Sequence, residues 1–278
     1  MMLLALFLLA SMDAIAKHLT ATLAVPQILA IRFWVFLVFA LVLAERAGFR
    51  RTVRSARPGL QVLRSLVMVG QMTAFIVAVS HMPLANVHGV VAVAPLLVMA
   101  LAAIFLGEPI GPRRCVAVGC GFLGVLVIIR PGTGVFDPMS LVALAGAACW
   151  AVFQILLRVV GGRDSAQTTT LFSASVGVLC FSMVAPFVWR SPDPAAWLWL
   201  LAIGALGSIG HYLLSTAFQH APASTLQPYA YSMPVWAAML GWAAFAHVPD
   251  MWTVVGGGIV IASGLYGLRR ERAAAGVG

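Results

Sequence analysis

Ionisable residues are scarce in this chain, and several stand inside apolar runs where charge is costly. Asp13 and Lys17 are four apart on one helical face, and Arg32 lies about six residues into the next apolar run. Charges at that depth are expected to pair with one another. Two readings of Asp13 stand. It is a proton-coupling carboxylate or the partner of a substrate ammonium; or it is half of a structural ion pair, with Lys17 snorkelling outward. Arg64, about five residues inside its own run, reads as a snorkelling residue. His81 and His88 are seven apart, two turns of a helix, and His211, His220 and Gln227 follow in the second half. Histidine titrates near neutrality and suits a proton relay. His81 and His220 read as interface residues, whereas His88 and His211 fall deeper and are candidates for lining a cavity. The spacing is not HxxxH and no carboxylate accompanies it, so no metal site is expected. Nor is an enzyme, a cofactor or an ATP motor, because no nucleophile–base pair or ATP-binding loop is visible. Gly119 to Gly124 spells G-x-G-x-x-G, but no strand precedes it and it lies within an apolar span.

The elements that would position these groups are two matching stretches, Ser80 to Pro95 (SHMPLANVHGVVAVAP) and Gln219 to Pro234 (QHAPASTLQPYAYSMP). Each runs His, one residue, Pro, then a second Pro twelve positions later. Pro83 and Pro222 can open a helix, where a missing N–H costs nothing. Pro95 and Pro234 lie roughly 18 Å further on, near the middle of a ~30 Å hydrocarbon core. There each removes a helix hydrogen bond and frees a carbonyl four residues back, at Val91 and Ala230. Such groups must face protein or a cavity. Two broken helices, one per half, point to the central site of a transporter, with Pro95, Pro228 and Pro234 as hinges. Pro228 frees the Ser224 carbonyl in the same way. Tyr229 and Tyr231, with Trp34, Trp150, Phe153, Tyr212 and Trp236, could form an aromatic pocket for an amphipathic or cationic substrate, or merely fill helix contacts. Gln154 falls where Asp13 falls when the first and sixth spans are overlaid on Lys17 and Arg158, which makes the site asymmetric.

Composition sets the class. The chain has 278 residues, 62% hydrophobic and 9% charged, against about 25% charged in soluble proteins. An all-α integral membrane protein is expected, with ten transmembrane helices as two inverted five-helix repeats, residues 1–133 and 134–278. Five spans run to about Arg130 and five more start at about Met139; an odd number per half inverts the second half. The net charge of +9 sits in short loops, not on a phosphate-binding stripe. If the loop carrying Arg46, Arg50, Arg51, Arg54 and Arg57 is cytoplasmic, so are Arg113, Arg114, Arg158, Arg163, Arg269, Arg270 and Arg272. The outer loops then hold Asp137, Asp193 and Asp250, and Trp189, Trp197, Trp199 and Trp252 form an outer aromatic belt. Both termini should be cytoplasmic. The apolar N-terminus lacks the basic start of a signal peptide and reads as the first span. Cys115, Cys120, Cys149 and Cys180 form no CxxC pair and read as packing residues.

The span count and local motifs carry a resemblance. Pro26 to Arg32 (PQILAIR) opens the second span, FLGEP at Phe105 to Pro109 ends the fourth, and the fifth and tenth are glycine-rich. The chain resembles the drug/metabolite transporter superfamily, of the EamA type with two five-helix repeats. The second half departs from the pattern, with Ala246-His247 where the first has Gly107-Glu108, and no counterpart of Arg32. The resemblance implies a central cavity and movement of small metabolites across the bacterial inner membrane by a secondary carrier working by alternating access. Amino-acid or metabolite export leads. Uptake of a larger metabolite, like riboflavin or adenosylmethionine, is the alternative, and a membrane subunit that moves nothing stands against both. Asp13, Arg32, His88, Trp150, Gln154, His211, Tyr212, Gln227, Tyr229 and Tyr231 are the candidate substrate contacts. The partners expected are a small-molecule substrate and the lipid bilayer, not nucleic acid, and the glycine-rich fifth and tenth spans could form a homodimer face.

Overall fold

The computed structural model describes residues 1–106, 112–130, 137–220, 226 and 229–275. Among them there is no strand. The helices are α1 (Met2–Leu19), α2 (Val25–Ala47), the four-residue α3 (Phe49–Thr52), α4 (Pro58–His81), α5 (Leu84–Val91), α6 (Ala94–Leu106), α7 (Pro112–Ile129), α8 (Met139–Gly161), α9 (Ala166–Val184), α10 (Pro194–His220), α11 (Met233–Phe245) and α12 (Met251–Ala275). Seven apolar helices are long enough to cross a membrane, counting Leu84–Phe105 as one. Three shorter apolar helices, Gly119–Ile129, Met233–Phe245 and Met251–Ser263, join them. Large apolar side chains face outward along their length, such as Ile104, Phe187, Leu198 and Trp242. Water would not tolerate so continuous an apolar exterior. The protein is a multi-pass membrane protein.

The halves of the chain do not form two separate bundles. The most extensive packing pairs a helix before residue 131 with one after residue 136: α1 with α10, α4 with α8, α2 with α9, and α7 with α12. Glycine makes these approaches possible. A Cβ on Gly177 would lie 2.1 Å from the Phe33 ring, and one on Gly204 would lie 2.5 Å from Val35. The α7–α12 contact is closer still. A Cβ on Gly124 would meet the Gly256 carbonyl oxygen at 2.8 Å, and one on Gly256 would meet the Gly124 carbonyl oxygen at 2.5 Å. Gly124 and Gly256 are thus spent within one chain, whereas Gly119, Gly257 and Gly258 have nothing within 4 Å of their Cβ positions.

Three acidic residues begin helices. Asp137, Asp193 and Asp250 accept from the free amides of Met139, Ala196 and Thr253 at 2.9, 2.6 and 2.8 Å. They start α8, α10 and α12, where a carboxylate also complements the helix dipole. Asp250 further pairs with Arg130 at 2.6 Å, fastening the end of α7 to the start of α12.

Replacing Gly256 with Ala should therefore lower the thermal midpoint of the purified protein by several degrees, because the Gly124 backbone has no room to yield; overpacking costs about 1–3 kcal/mol. Gly119→Ala is the control, since nothing lies within 4 Å of its Cβ position. Equal midpoints for the two variants would show that the α7–α12 approach is looser than described.

Candidate functional site

The chain turns just before Pro95 and just before Pro234, at equivalent points. The break between α5 and α6 falls at Ala92–Val93, and the turn before α11 falls at Tyr231–Ser232. Each turn begins three residues before its proline, Pro95 or Pro234. Proline has no N–H to return to the carbonyl four residues back, so the ladder stops there. Both breaks open onto one cavity, which is lined by Val91, Ala92, Ala94 and Pro95 and by Ala230, Met233 and Pro234. It admits water-sized spheres over about 100 Å³. The rest of the wall comes from α1, α2, α4, α8 and α10.

Of the residues singled out from sequence, Asp13, Arg32, His88, Trp150, Gln154 and His211 all line this cavity, with Pro95 and Pro234. Asp13 and His88 meet across α1 and α5, with His88 Nε2 3.3 Å from the carboxylate. The pair is within ion-pair distance but is not aligned as a hydrogen bond. Phe75 stands edge-on to the His88 ring at 5.1 Å. Arg32 and His211 meet across α2 and α10, Nη2 to Nε2 at 3.2 Å. Arginine has only donors, so His211 Nε2 must accept, and the neutral ring then carries its proton on Nδ1. Gly207 makes room for this contact. A Cβ there would lie 2.8 Å from the Met12 sulfur and 3.1 Å from Arg32 Nε. The run Gly204-x-x-Gly207-x-x-Gly210-His211 is therefore the sequence signal that lets α10 approach α1 and α2 with the histidine beside them.

Other expectations are corrected by their surroundings. Lys17 does not pair with Asp13 or snorkel free. Its Nζ donates to the carbonyls of Val79 and Met82 at 3.0 and 2.7 Å, closing the C-terminal end of α4, where carbonyls lack helix partners. Trp34 is half-exposed and donates to Ser182 Oγ at 3.1 Å, away from the cavity. Tyr212 follows His211 round the helix and packs edge-on against Phe39 instead. Tyr229 is 43% exposed, and Tyr231 is buried in the turn outside the cavity wall. Trp236 packs on Phe7, while Phe153 stacks on Trp150 behind the wall. Gln227 and Pro228 lie outside the described residues. Sequence reasoning missed Gln71, Met12, Met72 and Phe75, which complete the lining; nothing marks a single Gln or Met in an apolar run as inward-facing.

Arg64 is the largest correction. It is 1% exposed and turned into the protein, not toward an interface. Its Nε donates to Gln61 Oε1 at 3.1 Å, and its Nη2 donates to the Thr169 carbonyl at 2.9 Å and to Ser173 Oγ at 2.7 Å. Its guanidinium also lies 5.3 Å from the Phe153 ring centre. Gln61 Nε2 continues the network to Asp164 at 2.9 Å. Asp164, in the turn between α8 and α9, also accepts from Ser55 Oγ and from the Ala56 N–H. Burial pushes the Asp164 carboxyl up, but these hydrogen bonds outweigh it and hold it below the usual carboxylate range. The network ties the loop before α4 to the start of α9.

A depressed carboxyl stabilises the fold above its unfolded pKa of about 3.9, and that contribution is lost as pH falls through the folded value. Asp164→Asn should lower the thermal midpoint at pH 7 by roughly 3–10 °C, taking about 1.5–3 kcal/mol for hydrogen bonds to a charged group. It should also flatten the fall in midpoint below about pH 4. Melting curves from pH 3 to pH 8 check both, and an unchanged acid slope would remove Asp164 from the network.

The sequence profile of the EamA-like transporter family matches the chain twice, over residues 1–130 and 138–268. The chain is 27% identical over 264 residues to a riboflavin transporter of Brucella anthropi, covering 89% of each chain. It is 27% identical over 262 residues to an S-adenosylmethionine uptake transporter of Rickettsia felis, covering 94% of this chain and 89% of that one. It is also 27% identical over 265 residues to a pseudopaline exporter of Pseudomonas aeruginosa, covering 93% and 91%. One solved structure shares the fold with a TM-score of 0.70 at 19% identity, covering 98% of this chain and 97% of that one.

Proposed function

The chain belongs to the EamA-like transporter family, and from that premise we propose that it is a secondary carrier that moves small organic metabolites by alternating access about the cavity between α1, α2, α4, α8 and α10. The observation that carries this reading is the pair of helix breaks at Ala92–Val93 and Tyr231–Ser232, whose flanking residues line one cavity together with ionisable groups. An inert scaffold has no need of such breaks, because an unbroken apolar helix leaves no backbone group unpaired in lipid.

Seven long spans and three shorter apolar helices support ten crossings. The double profile match and the exchange of packing between halves support two inverted repeats, 1–133 and 134–278. α1 packs on α10 as α8 packs on α4, and the equivalent helices α2 and α9 pack on each other, as do α7 and α12. A two-fold axis in the membrane plane would produce that pattern. The basic loops support a bacterial inner-membrane location with both termini cytoplasmic, and the half-exposed Trp189, Trp197, Trp199 and Trp252 support an outer aromatic belt. In this reading Asp13, Arg32, His88, Trp150, Gln154 and His211 are the substrate contacts and Pro95 and Pro234 the hinges. A homodimer across the outward faces of α7 and α12 is the arrangement to test for.

Export of an amino acid or similar metabolite is the leading direction. Uptake of a larger metabolite is favoured by the likeness to the riboflavin and S-adenosylmethionine transporters, and the pseudopaline exporter is as similar as either, so identity gives no direction. Counterflow in proteoliposomes tests the carrier. Preloaded riboflavin, S-adenosylmethionine or an amino-acid mixture should accelerate entry of at least one labelled partner. Ala92→Trp, which places an indole in the cavity wall, should abolish that exchange in protein that still elutes as a single species. No exchange with any of them, and no thermal stabilisation by any, would instead favour a subunit that transports nothing.

A further inference from the structure

Among the described residues two arginines are buried, Arg32 and Arg64, and their surroundings differ in one decisive respect. Arg64, 1% exposed, makes four hydrogen bonds, to Gln61, Ser65, the Thr169 carbonyl and Ser173. Arg32, 4% exposed, makes one, from Nη2 to His211 Nε2. Guanidinium carries five N–H donors in a planar fork and stays charged. Arg64 spends its Nε and Nη2 donors on the protein. Arg32, among the described residues, spends one, and it does so in the cavity wall.

Asp13 is close enough to act on Arg32 through its charge but takes none of its N–H donors. Asp13 lines the same cavity, but its carboxylate lies at ion-pair distance from His88, not from Arg32. Nor is the arginine there by default of space, since Gly207 leaves α10 bare where Nε and Nη2 pass. His211 adds to the same character. Because Nε2 accepts from Arg32, its Nδ1 is left as a further donor. A fixed cation with unspent donors, and a donor histidine held beside it, are complementary to a planar anion that can take two parallel hydrogen bonds.

On this basis we infer that Arg32 and His211 form the docking point for a carboxylate on the substrate, so that the transported metabolites are organic acids or zwitterions. The inference rests on the carrier reading and narrows it. Among the chemistries carried by the relatives, it admits S-adenosylmethionine, which has a carboxylate, and excludes riboflavin, which has none. Asp13, which with His88 lines the same cavity, offers a carboxylate beside that docking point, and a zwitterion would set its ammonium there.

The test compares each acid with the same molecule lacking the carboxylate, on unaltered protein. S-adenosylmethionine is set against its decarboxylated form, and methionine and phenylalanine against their amides, with riboflavin as the ligand that never had the group. Exchange in proteoliposomes and half-saturation in a thermal-shift titration are read for each. The acid of an active pair should bind roughly 100-fold more tightly than its partner, as expected for a lost bidentate charged pair. Arg32→Gln should bring the two members of the pair to within about threefold, and Arg32→Lys, which keeps the charge without the fork, should fall between. A purely structural arginine would leave that ratio unchanged whatever happened to stability. Equal exchange of acid and amide, or exchange of riboflavin alone, overturns the carboxylate site and leaves the carrier standing. Exchange of nothing overturns the carrier, and this site with it.

Discussion

Inside a bilayer a peptide group must find its partner within the protein, and the shape of this molecule follows from two places where it cannot. Pro95 and Pro234 each interrupt a hydrogen-bond ladder within an apolar stretch. A break of that kind is tolerable only if it faces inward, and both do. With residues of both breaks lining one space, the helices around it do not close into a solid apolar core. The space that remains is the cavity, and Asp13, Arg32, Gln71, His88, Gln154 and His211 collect in its wall.

The same requirement sorts the charged residues by how well they are satisfied. Lys17 serves the helix end that would otherwise leave carbonyls open. Arg64, with Gln61 and Asp164, knits the start of α4 to the start of α9 in a network whose members serve one another. Asp13, Arg32, His88 and His211 are arranged differently, as two pairs across helices, each with capacity left over toward the cavity. In a membrane that surplus is costly unless something else arrives to use it.

Much of this was legible in the sequence, because the strongest signals were covalent ones. The repeat of His-x-Pro and of a second Pro twelve residues on fixed which two spans would break and that their breaks would correspond. The apolar run lengths gave the class, and the rarity of charge gave Asp13, Arg32, His88 and His211 as inward-facing. What sequence could not supply was rotation about the helix axis. Tyr212 and His211 are neighbours, yet only one meets the cavity. Arg64 was read as reaching for water because its distance from the span end allowed it, while Thr169 and Ser173, more than a hundred residues away, could not be seen to be waiting for it. Nor could the interleaving of the halves be foreseen, since nothing local reveals that Gly124 will lie on Gly256.

That interleaving bears on how the molecule comes to exist. The hydrogen bond that Arg32 makes is to a residue 179 positions later, and that from Arg64 to the Thr169 carbonyl spans 105. At about 5–20 residues per second of synthesis, Arg32 leaves the ribosome roughly 10–35 s before His211 does. For that interval Arg32 lacks His211, and Arg64 has Gln61 and Ser65 but not Thr169 or Ser173. They must shelter against the insertion machinery, the lipid headgroups or each other until the late helices slot between them. The first half is thus a nascent intermediate whose lifetime is set by translation, and slowing the ribosome in the second half would lengthen its exposure to membrane proteases.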